Sequence, residues 1–550
     1  MPKNQKTREK KPAGKQVSAQ EILDMAQGPE RHMKWTVSLC PVCLKKLKAQ
    51  IFEKNSRIWI RKKCEKHGEV EELYWGDAAA YKRAETFASD GRGVTNPEIT
   101  KENPDCPRDC GLCVLHKSHT ALANIAVTNR CDLNCWYCFF YAQKMGYVYE
   151  PGLGHIREMM RTLRKEEPVP CNALQLTGGE PMLRKDIIEI IKMAKEEGFE
   201  HIQLNTNGIR IAMEPGLAKK VRAAGVNTIY LSFDGLTPRT NPKNHWEIPY
   251  ILDNCRKAGI GVVLVPTLVK GVNDHEIGDM IRFAFRNIDI VRAVNFQPVS
   301  LVGKISNADR KKMRITIPDA MECISKQTGD QISMDDFYPI PVVAPITDFV
   351  EALTKRNEYR LSSHFACGMA TYVFETDGNM VPLTRFVNVP GLLRYLKKKT
   401  AELRSGKNKV FITMGMIGQL NRFIDKRKAP KGFSIAKVLY SALIHHNYHA
   451  LGRFHKKSLM IGMMHFMDLY NYDIERVKRC CIHYAIPGGK IIPFCTFNVI
   501  PDWYRDKSQK EHGIDIPKWE KETGKIMAGD LYKRDEKALE AGPLYRKAYS

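Results

Sequence analysis

Three closely spaced cysteines constrain the fold of this chain more than any other feature. Cys131, Cys135 and Cys138 form a C-x3-C-x2-C array just after the apolar run 123–128. Three thiolates bind three irons of a four-iron cluster, so the fourth iron keeps an open coordination site. The alternative, a structural zinc site, prefers four ligands and commonly uses two C-x2-C pairs. The array therefore predicts a catalytic [4Fe-4S] cluster on a loop that follows a buried strand.

Short apolar runs alternate with helical patterns through the middle of the chain. This alternation is typical of parallel strands joined by crossover helices. The six predicted strands are 123–128, 173–177, 202–206, 228–233, 262–267 and 293–297. They predict an α/β fold, a partial (βα)6 barrel whose chemistry lies at the carboxyl ends of its strands. An N-terminal metal-binding knuckle and a C-terminal α+β auxiliary-cluster domain flank the predicted barrel.

Glycine and polar motifs follow the later predicted strands. In chain order they contain Gly178, Gly179, Glu180, Pro181, Asn207, Ser232, Asp234 and Gln297. The cysteine array and these motifs, in this order, resemble the radical S-adenosylmethionine (SAM) superfamily. The resemblance implies that the open iron of the cluster binds the amino and carboxylate groups of SAM. It also implies that cleavage of SAM yields a 5'-deoxyadenosyl radical, which removes a hydrogen atom from the substrate.

The same resemblance assigns roles to the strand-end residues. Glu180 and the backbone of Gly178 and Gly179 are expected to hold the methionine amine of SAM, and Ser232 and Asp234 to lie nearer its ribose. The remaining residues of the predicted cofactor site are Pro181, Asn207 and Gln297. An electron donor such as ferredoxin is an implied partner.

Two turns near the amino terminus have the spacing of a small metal-binding knuckle. Cys40 and Cys43 lie in the first turn, and Cys64 and His67 lie in the second. Two ligands from each of two turns are typical of a zinc ribbon or a rubredoxin-like site. The spacing does not separate zinc from mononuclear iron. His67 is the weakest ligand candidate, because a histidine beside a turn glycine is often only a surface residue.

A second C-x3-C-x2-C array precedes the first barrel strand. It consists of Cys106, Cys110 and Cys113, with His116 and His119 close behind. No Gly-Gly-Glu-Pro segment accompanies it, so we interpret it as an auxiliary cluster site and not as a second SAM site. The alternative is a zinc site that uses one of the histidines.

Four more cysteines follow the predicted barrel. Cys480 and Cys481 precede a glycine turn and Cys495 follows it, so a hairpin would bring them together, and Cys367 is a further candidate. Successive residues of a strand point to opposite faces. We therefore expect only one of the doublet to be a ligand, and predict a third cluster on Cys367, Cys481 and Cys495. The alternative is a set of reduced structural thiols.

The charge balance favours an anionic partner. The chain has 86 Lys and Arg against 61 Asp and Glu, a net charge of +25. Nucleic acid, a phosphorylated metabolite and an anionic lipid surface all fit this charge. No run of about twenty apolar residues is present. We expect a cytoplasmic enzyme, with peripheral contact at the inner face of the membrane, whose cysteines are metal ligands or free thiols and not disulfides.

These patterns predict six segments. They are a disordered basic tail at 1–25, the metal knuckle at 26–90, an auxiliary cluster segment at 91–122, the radical SAM barrel at 123–305, an apolar helical and auxiliary-cluster domain at 306–505, and a charged tail at 506–550. Within the fifth segment, methionine, leucine and phenylalanine recur at three- or four-residue steps between Met414 and Met467, which predicts helices with broad apolar faces. Most of this is ordinary core, and the alternative is an adaptable apolar channel.

The order of knuckle, two arrays and cysteine hairpin resembles the archaeal tetraether lipid synthase family, whose members are also named dihydropterin dimethyltransferases. The resemblance covers most of residues 35–505. It favours coupling of the terminal carbons of two isoprenoid lipid tails, with a long-chain lipid as substrate and partner. Methylation of a dihydropterin is the alternative. An RNA-modifying enzyme is least favoured, because no RNA-binding module accompanies the knuckle.

Overall fold

The computed structural model describes residues 30–549 except 139, 141, 303–305, 432 and 435–457. The predicted basic tail at 1–25 and much of the methionine-rich segment, including Leu439, Leu443 and Leu451, lie outside the described residues. In the part of the chain that is described, no helix is both long and apolar enough to cross a membrane.

Nineteen strands are described. In chain order they are β1 (Arg31–Leu39), β2 (Lys46–Lys54), β3 (Arg57–Cys64), β4 (Gly68–Trp75), β5 (Leu122–Thr128), β6 (Tyr147–Tyr149), β7 (Ala173–Gly178), β8 (His201–Thr206), β9 (Thr228–Ser232), β10 (Gly261–Val265), β11 (Thr267–Leu268), β12 (Val291–Pro298), β13 (Tyr338–Pro339), β14 (Gly368–Thr376), β15 (Asn379–Pro382), β16 (Ser458–Met464), β17 (Ile482–Ile486), β18 (Lys490–Pro493) and β19 (Gly513–Asp515).

The described α-helices cover and connect these strands. They are α1 (Ala78–Glu85), α2 (Ala142–Met145), α3 (Leu153–Arg164), α4 (Ile187–Glu196), α5 (Ile209–Met213), α6 (Leu217–Ala224), α7 (Ile248–Ala258), α8 (Ile277–Arg286), α9 (Asn307–Met313), α10 (Ile317–Gln327), α11 (Ala344–Thr354), α12 (Val389–Arg404), α13 (Lys409–Gln419), α14 (Ile474–Val477), α15 (Phe494–Val499), α16 (Arg505–Glu511), α17 (Ile516–Thr523), α18 (Glu536–Ala541) and α19 (Pro543–Tyr549).

The six predicted barrel strands form a parallel sheet in the order β5, β7, β8, β9, β10, β12. Helices between successive strands cover one face of this sheet. For example, Leu174 and Leu176 of β7 are fully buried in the same core as Ile190 and Ile191 of α4. Each such side chain contributes about 1.5–3 kcal/mol on burial. The predicted α/β architecture is confirmed.

The sheet continues on both sides of these six strands. The hairpin β17–β18 joins one edge, because β17 pairs in parallel with β5. Beyond the other edge, β16 pairs in parallel with β12 and β14 pairs antiparallel with β16. Strands from the predicted barrel segment (123–305) and from the segment after it therefore form one continuous sheet. The cysteines near β14, β16 and β17 thus lie on the same sheet as the cysteine array after β5.

A separate four-stranded antiparallel sheet, β1 to β4, precedes the barrel. Leu39 ends β1 and Cys64 ends β3, so the two turns that carry Cys40 and His67 lie at the same end of this sheet. The sheet contacts the segment 306–505 through buried polar groups. Thr36 Oγ1 and the Tyr74 hydroxyl both donate to the carboxylate of Asp473, at 2.6 and 2.8 Å.

The segment predicted as a charged tail packs on the barrel. Its strand β19 pairs antiparallel with β6, and α19 lies against α7. The Tyr549 ring stacks on His245 with centroids 4.4 Å apart. Arg534 also forms an ion pair with the buried carboxylate of Glu247 at 2.7 Å. The segment is therefore a wrap around the surface of the barrel, with charged residues on its outer side.

Candidate active site and metal centres

The cysteine array lies on the loop that leaves the carboxyl end of β5. Cys131, Cys135 and Cys138 are each partly buried, and burial raises the pKa of all three thiols, that of Cys135 to about 11. An unpaired thiolate would be costly there, and a bound metal would offset the cost. Three sulfur donors from one loop match the ligand set of a four-iron cluster with one open iron. The residues therefore fit the predicted group.

The paired glycines after β7 let two loops approach closely. A Cβ atom on Gly178 would lie 2.0 Å from the Thr128 carbonyl oxygen, and one on Gly179 would lie 2.2 Å from that of Arg130. The Gly179 N–H donates to the Thr128 oxygen at 2.8 Å, and the Glu180 N–H donates to the Arg130 oxygen at 2.7 Å. The Gly-Gly-Glu segment therefore holds the start of the cysteine loop through its backbone.

Glu180 is almost fully buried and links the ends of β7 and β8. Its Oε1 accepts hydrogen bonds from Met182 N at 2.9 Å and from Thr206 Oγ1 at 2.7 Å, and its Oε2 accepts one from Asn207 N at 2.8 Å. Burial, followed by the nearby charge of Asp132, raises the pKa of Glu180 to about 8. Contact between Glu180 and the SAM amine stays a prediction. The three hydrogen bonds that Glu180 accepts also give it a structural role, because they connect β7 to β8.

Asn207 connects the end of β8 to the cysteine loop. Its Nδ2 donates to Asp132 Oδ1 at 2.6 Å, and its Oδ1 accepts from Ile209 N at 3.0 Å. The Asn207 carbonyl oxygen and that of Ser232 both accept from the side chain of Asn244, at 2.7 and 2.8 Å. Three of the predicted strand-end residues thus share one network, namely Glu180, Asn207 and Ser232. Asp132 and Asn244 are members that the motifs did not indicate.

Asp234 accepts three hydrogen bonds at the end of β9. The Tyr137 hydroxyl donates to Oδ2 at 2.5 Å and Lys243 Nζ donates to the same atom at 2.8 Å, while Thr267 N donates to Oδ1 at 3.0 Å. Tyr137 belongs to the cysteine array, so Asp234 joins that array to the fourth barrel strand. Sequence reasoning missed Lys243, because a lysine nine residues after a strand-end aspartate forms no recognisable motif.

The amino-terminal knuckle brings all four of its predicted ligands together. The ligand atoms of Cys40, Cys43, Cys64 and His67 all lie within 4.8 Å of one another. His67 Nδ1 lies 3.5 Å from both Cys40 Sγ and Cys64 Sγ. Four donors at these spacings fit a tetrahedral metal ion, so His67 lies where a fourth ligand is needed.

Comparisons with known proteins agree with this geometry. The Radical SAM superfamily profile matches residues 125–284, and that of the HMPTM N-terminal zinc ribbon domain matches residues 32–76. The chain is 46% identical over 499 residues to 7,8-dihydro-6-hydroxymethylpterin dimethyltransferase of Methanocaldococcus jannaschii. That alignment covers 89% of this chain and 97% of the relative.

The chain belongs to this family of radical SAM enzymes. It is also similar to GTP 3',8-cyclase of Marinobacter nauticus, with 29% identity over 208 residues, 37% of this chain and 61% of that one. A solved structure described as native anSMEcpe with bound AdoMet covers 61% of this chain and 98% of its own, at 12% identity and a TM-score of 0.30. The radical SAM and zinc ribbon matches, with the cysteine loop and the knuckle ligands, give SAM, a [4Fe-4S] cluster and a knuckle metal as its cofactors. Radical SAM enzymes also need an electron donor.

The second cysteine array of this radical SAM enzyme lies in a largely buried setting. Cys110 N donates to the Tyr504 hydroxyl at 2.9 Å, and the Cys110 thiol lies 3.6 Å from Thr496 Oγ1. The two neighbouring histidines use a ring nitrogen elsewhere. His116 Nε2 lies 2.8 Å from the carbonyl oxygen of Cys480, and His119 Nε2 accepts from the backbone N–H of Arg360 at 2.9 Å. Each bond occupies only one of the two ring nitrogens, so the auxiliary cluster and the zinc site with a histidine ligand both stay predictions.

Four cysteines after the barrel line one small apolar cavity: Cys367, Cys480, Cys481 and Cys495. Both residues of the doublet line this cavity, whereas the sequence led us to expect only one of them as a ligand. That expectation placed both residues on a strand, but β17 begins at Ile482 and the doublet directly precedes it. Arg476 Nε donates to Cys367 Sγ at 3.3 Å, and Met467 N donates to Cys495 Sγ at 3.5 Å. Four thiols around one cavity fit a cluster with four cysteine ligands.

Polar side chains line the barrel face of the sheet that the helices do not cover. Gln175 Nε2 donates to Asn124 Oδ1 at 2.8 Å, and Gln203 Nε2 donates to Gln175 Oε1. Farther along the sheet, Gln297 Nε2 donates to the Tyr230 hydroxyl at 3.1 Å. Since successive residues alternate between faces, these residues share the face opposite to the helix-packed leucines and isoleucines. We call this set of amides and hydroxyls the inner polar face.

Proposed function

We propose that this radical SAM enzyme methylates a dihydropterin. The observation that carries the proposal is the inner polar face, where hydrogen bonds join the amides of Asn124, Gln175 and Gln203. On the same face, the amide of Gln297 donates to the Tyr230 hydroxyl. A pterin ring presents donors and acceptors along its edges and a flat aromatic surface. Uncharged amides and a tyrosine ring match both of these features. The name of the Methanocaldococcus jannaschii relative, at 46% identity, supports the same substrate class.

The site residues position the reactants. When bound, the cluster and SAM supply a 5'-deoxyadenosyl radical. Cys131, Cys135 and Cys138 would hold that cluster at the carboxyl end of β5. The backbone of Gly179 and the side chain of Asn207 fix the cysteine loop against the ends of β7 and β8. These residues would hold the cluster and SAM at the carboxyl ends of the strands that also carry the inner polar face.

We propose two auxiliary clusters near this site. One would use Cys106, Cys110 and Cys113, and the other would use all four cysteines that line the cavity beside β14, β16 and β17. Buried thiols with pKa values raised by burial, as for Cys481 and Cys495, are costly to ionise unless a metal binds them. Soft sulfur donors of this kind favour iron–sulfur clusters or zinc.

Coupling of two isoprenoid lipid tails is the second candidate. It is supported by apolar residues beside the four-cysteine cavity, where Met464, Phe466 and Met467 face the thiols. Helix α13 also exposes two large apolar side chains, Phe411 at 76% and Met414 at 67%. An exposed apolar stripe with the net positive charge of the chain fits contact with an anionic lipid surface. Methionine suits adaptable apolar sites.

One product analysis distinguishes the candidates. Anaerobically reconstituted protein would receive SAM and dithionite with either 7,8-dihydro-6-hydroxymethylpterin or an archaeal diether lipid, and products would be followed by mass spectrometry. We expect 5'-deoxyadenosine and a pterin heavier by one or two methyl groups. A lipid that has lost two hydrogens on joining its tails, with an unchanged pterin, would replace the first candidate by the second. Gln175→Leu should lower pterin turnover and spare SAM cleavage without substrate.

A further inference from the structure

A buried lysine lies beside the cysteine array. Lys243 belongs to the loop between β9 and α7, which folds back over the end of β9. Its side chain is 9% exposed, and its Nζ lies 2.8 Å from Asp234 Oδ2. Arg534, from the carboxyl-terminal wrap, donates from Nη2 to the Lys243 carbonyl oxygen at 2.6 Å and from Nη1 to that of Pro242 at 3.2 Å. Two separate parts of the chain therefore fix this lysine in place.

The ammonium group lies beside the cysteine array. Nζ lies 5.4 Å from the centre of the Tyr137 ring, and Tyr137 stands between Cys135 and Cys138 in the array. The Tyr137 hydroxyl donates to Asp234 Oδ2 at 2.5 Å, the same atom that pairs with Lys243. The ion pair and the cysteine array therefore meet at Tyr137.

We propose that Lys243 is a positioning residue that sets the reduction potential of the cluster on Cys131, Cys135 and Cys138. One electron from an external low-potential reductant adds one negative charge to the cluster, and no proton moves. A fixed positive charge nearby stabilises that reduced form, and the effect is stronger in a buried site than in water. Net charge, hydrogen bonds and solvent exposure are the features that tune such clusters. The inference goes beyond the proposed substrate and holds for a pterin or a lipid.

The test is a redox titration of reconstituted protein without SAM, followed by electron paramagnetic resonance of the reduced cluster. Lys243→Met should lower the equilibrium constant for one-electron reduction about tenfold, which is a midpoint about 59 mV more negative. Lys243→Arg should stay near the wild-type value, because it keeps the charge. Asp234→Asn should shift the midpoint in the opposite direction, because it removes the anion and leaves the cation.

Lys144→Met is the matched control. Lys144 is exposed and its Nζ donates to the Cys138 carbonyl oxygen at 3.2 Å, so solvent screens its charge and its loss should shift the midpoint less than Lys243→Met. Iron and sulfide content of each variant would be measured first. An unchanged midpoint in Lys243→Met, or shifts of the same sign in Lys243→Met and Asp234→Asn, would overturn the proposal. If Lys243→Met binds no cluster, the test rests on Asp234→Asn. A midpoint in Asp234→Asn that is not higher than that of wild type would then refute the proposal.

Discussion

At the scale of single residues, Gly179 shows how little space separates two loops of the site. A Cβ atom there would lie 2.2 Å from the Arg130 carbonyl oxygen, which belongs to the backbone and cannot rotate away. We expect Gly179→Ala to force the loops apart and to lower the free energy of unfolding by about 1–3 kcal/mol. Chemical denaturation would measure this, and iron content after reconstitution should fall with it.

Gly152→Ala is the control for this substitution. A Cβ atom on Gly152 would meet nothing within 4 Å, and its φ of −62° suits any residue. Stability close to wild type is expected for this variant. Equal losses of unfolding free energy in the two variants would show that the close contact between Gly179 and the cysteine loop does not cause the destabilisation.

Glu166 makes stability depend on pH. It is buried, its carboxylate accepts from Thr120 N at 2.9 Å, and burial raises its pKa from 4.5 to about 7. Between pH 4.5 and about 7, Glu166 is therefore protonated in the folded state and ionised in the unfolded state. Its contribution to the free energy of unfolding declines as the pH rises through this range. The full decline is about 3 kcal/mol at 1.36 kcal/mol per pKa unit.

Glu166→Gln should flatten this part of the pH profile. The amide oxygen can still accept from Thr120, but the side chain no longer titrates. Denaturation of the apoprotein at several values between pH 4.5 and 7 would measure the slope. Glu167→Gln, at an exposed neighbouring position, should keep the wild-type slope. A wild-type slope in Glu166→Gln would mean that other groups cause the dependence.

At the scale of elements, the carboxyl-terminal wrap supports the cysteine loop. Arg130 Nε and Nη2 donate to the two carboxylate oxygens of Asp530, both at 2.7 Å, and Tyr532 N donates to the Asp132 carbonyl oxygen at 3.0 Å. The Arg130 and Asp530 side chains are only 6% and 12% exposed. Loss of one partner of such a buried pair costs about 3–5 kcal/mol.

We expect Asp530→Asn to destabilise the protein by about 3 kcal/mol, near the lower limit because Glu150 also lies 3.1 Å from Arg130. Thermal or chemical denaturation would measure the loss. Asp535→Asn is the control, because Asp535 lies in the same wrap but caps α18 through Ala538 N and not the cysteine loop. An equal loss of stability in the two variants would show that the loss comes from any change in the wrap and not from the Arg130–Asp530 ion pair.

The sequence predicts the barrel strands closely. The short apolar run at 173–177 corresponds to the observed β7 at Ala173–Gly178. The charge density from residue 506 onward is typical of a solvated helical tail or a surface wrap, and it does not indicate the partners β6 and α7, because these contacts are tertiary and leave no periodic signal. Lys243 and Asp530 were missed for the same reason. Each acts through a partner that is distant in sequence.

At the scale of the whole molecule, one sheet connects the candidate centres. The spacing of cysteines predicts four candidate metal sites. It does not place Cys480 at the third cluster, because we expected Cys480 and Cys481 to lie on one strand and to point to opposite faces. The sheet order that puts β17 beside β5 and β16 beside β12 also lay beyond sequence reasoning. Because of this strand order, the four-cysteine cavity lies beside the same sheet that carries the cysteine array after β5.

We infer that the loop after β5 carries the cluster that cleaves SAM. The direct measurement is 5'-deoxyadenosine formed by anaerobically reconstituted protein with SAM and dithionite, comparing wild type with Cys135→Ala. We expect wild type to form 5'-deoxyadenosine and the variant to form none, while the knuckle on Cys40, Cys43, Cys64 and His67 keeps its zinc or iron. Continued formation of 5'-deoxyadenosine by Cys135→Ala would contradict it.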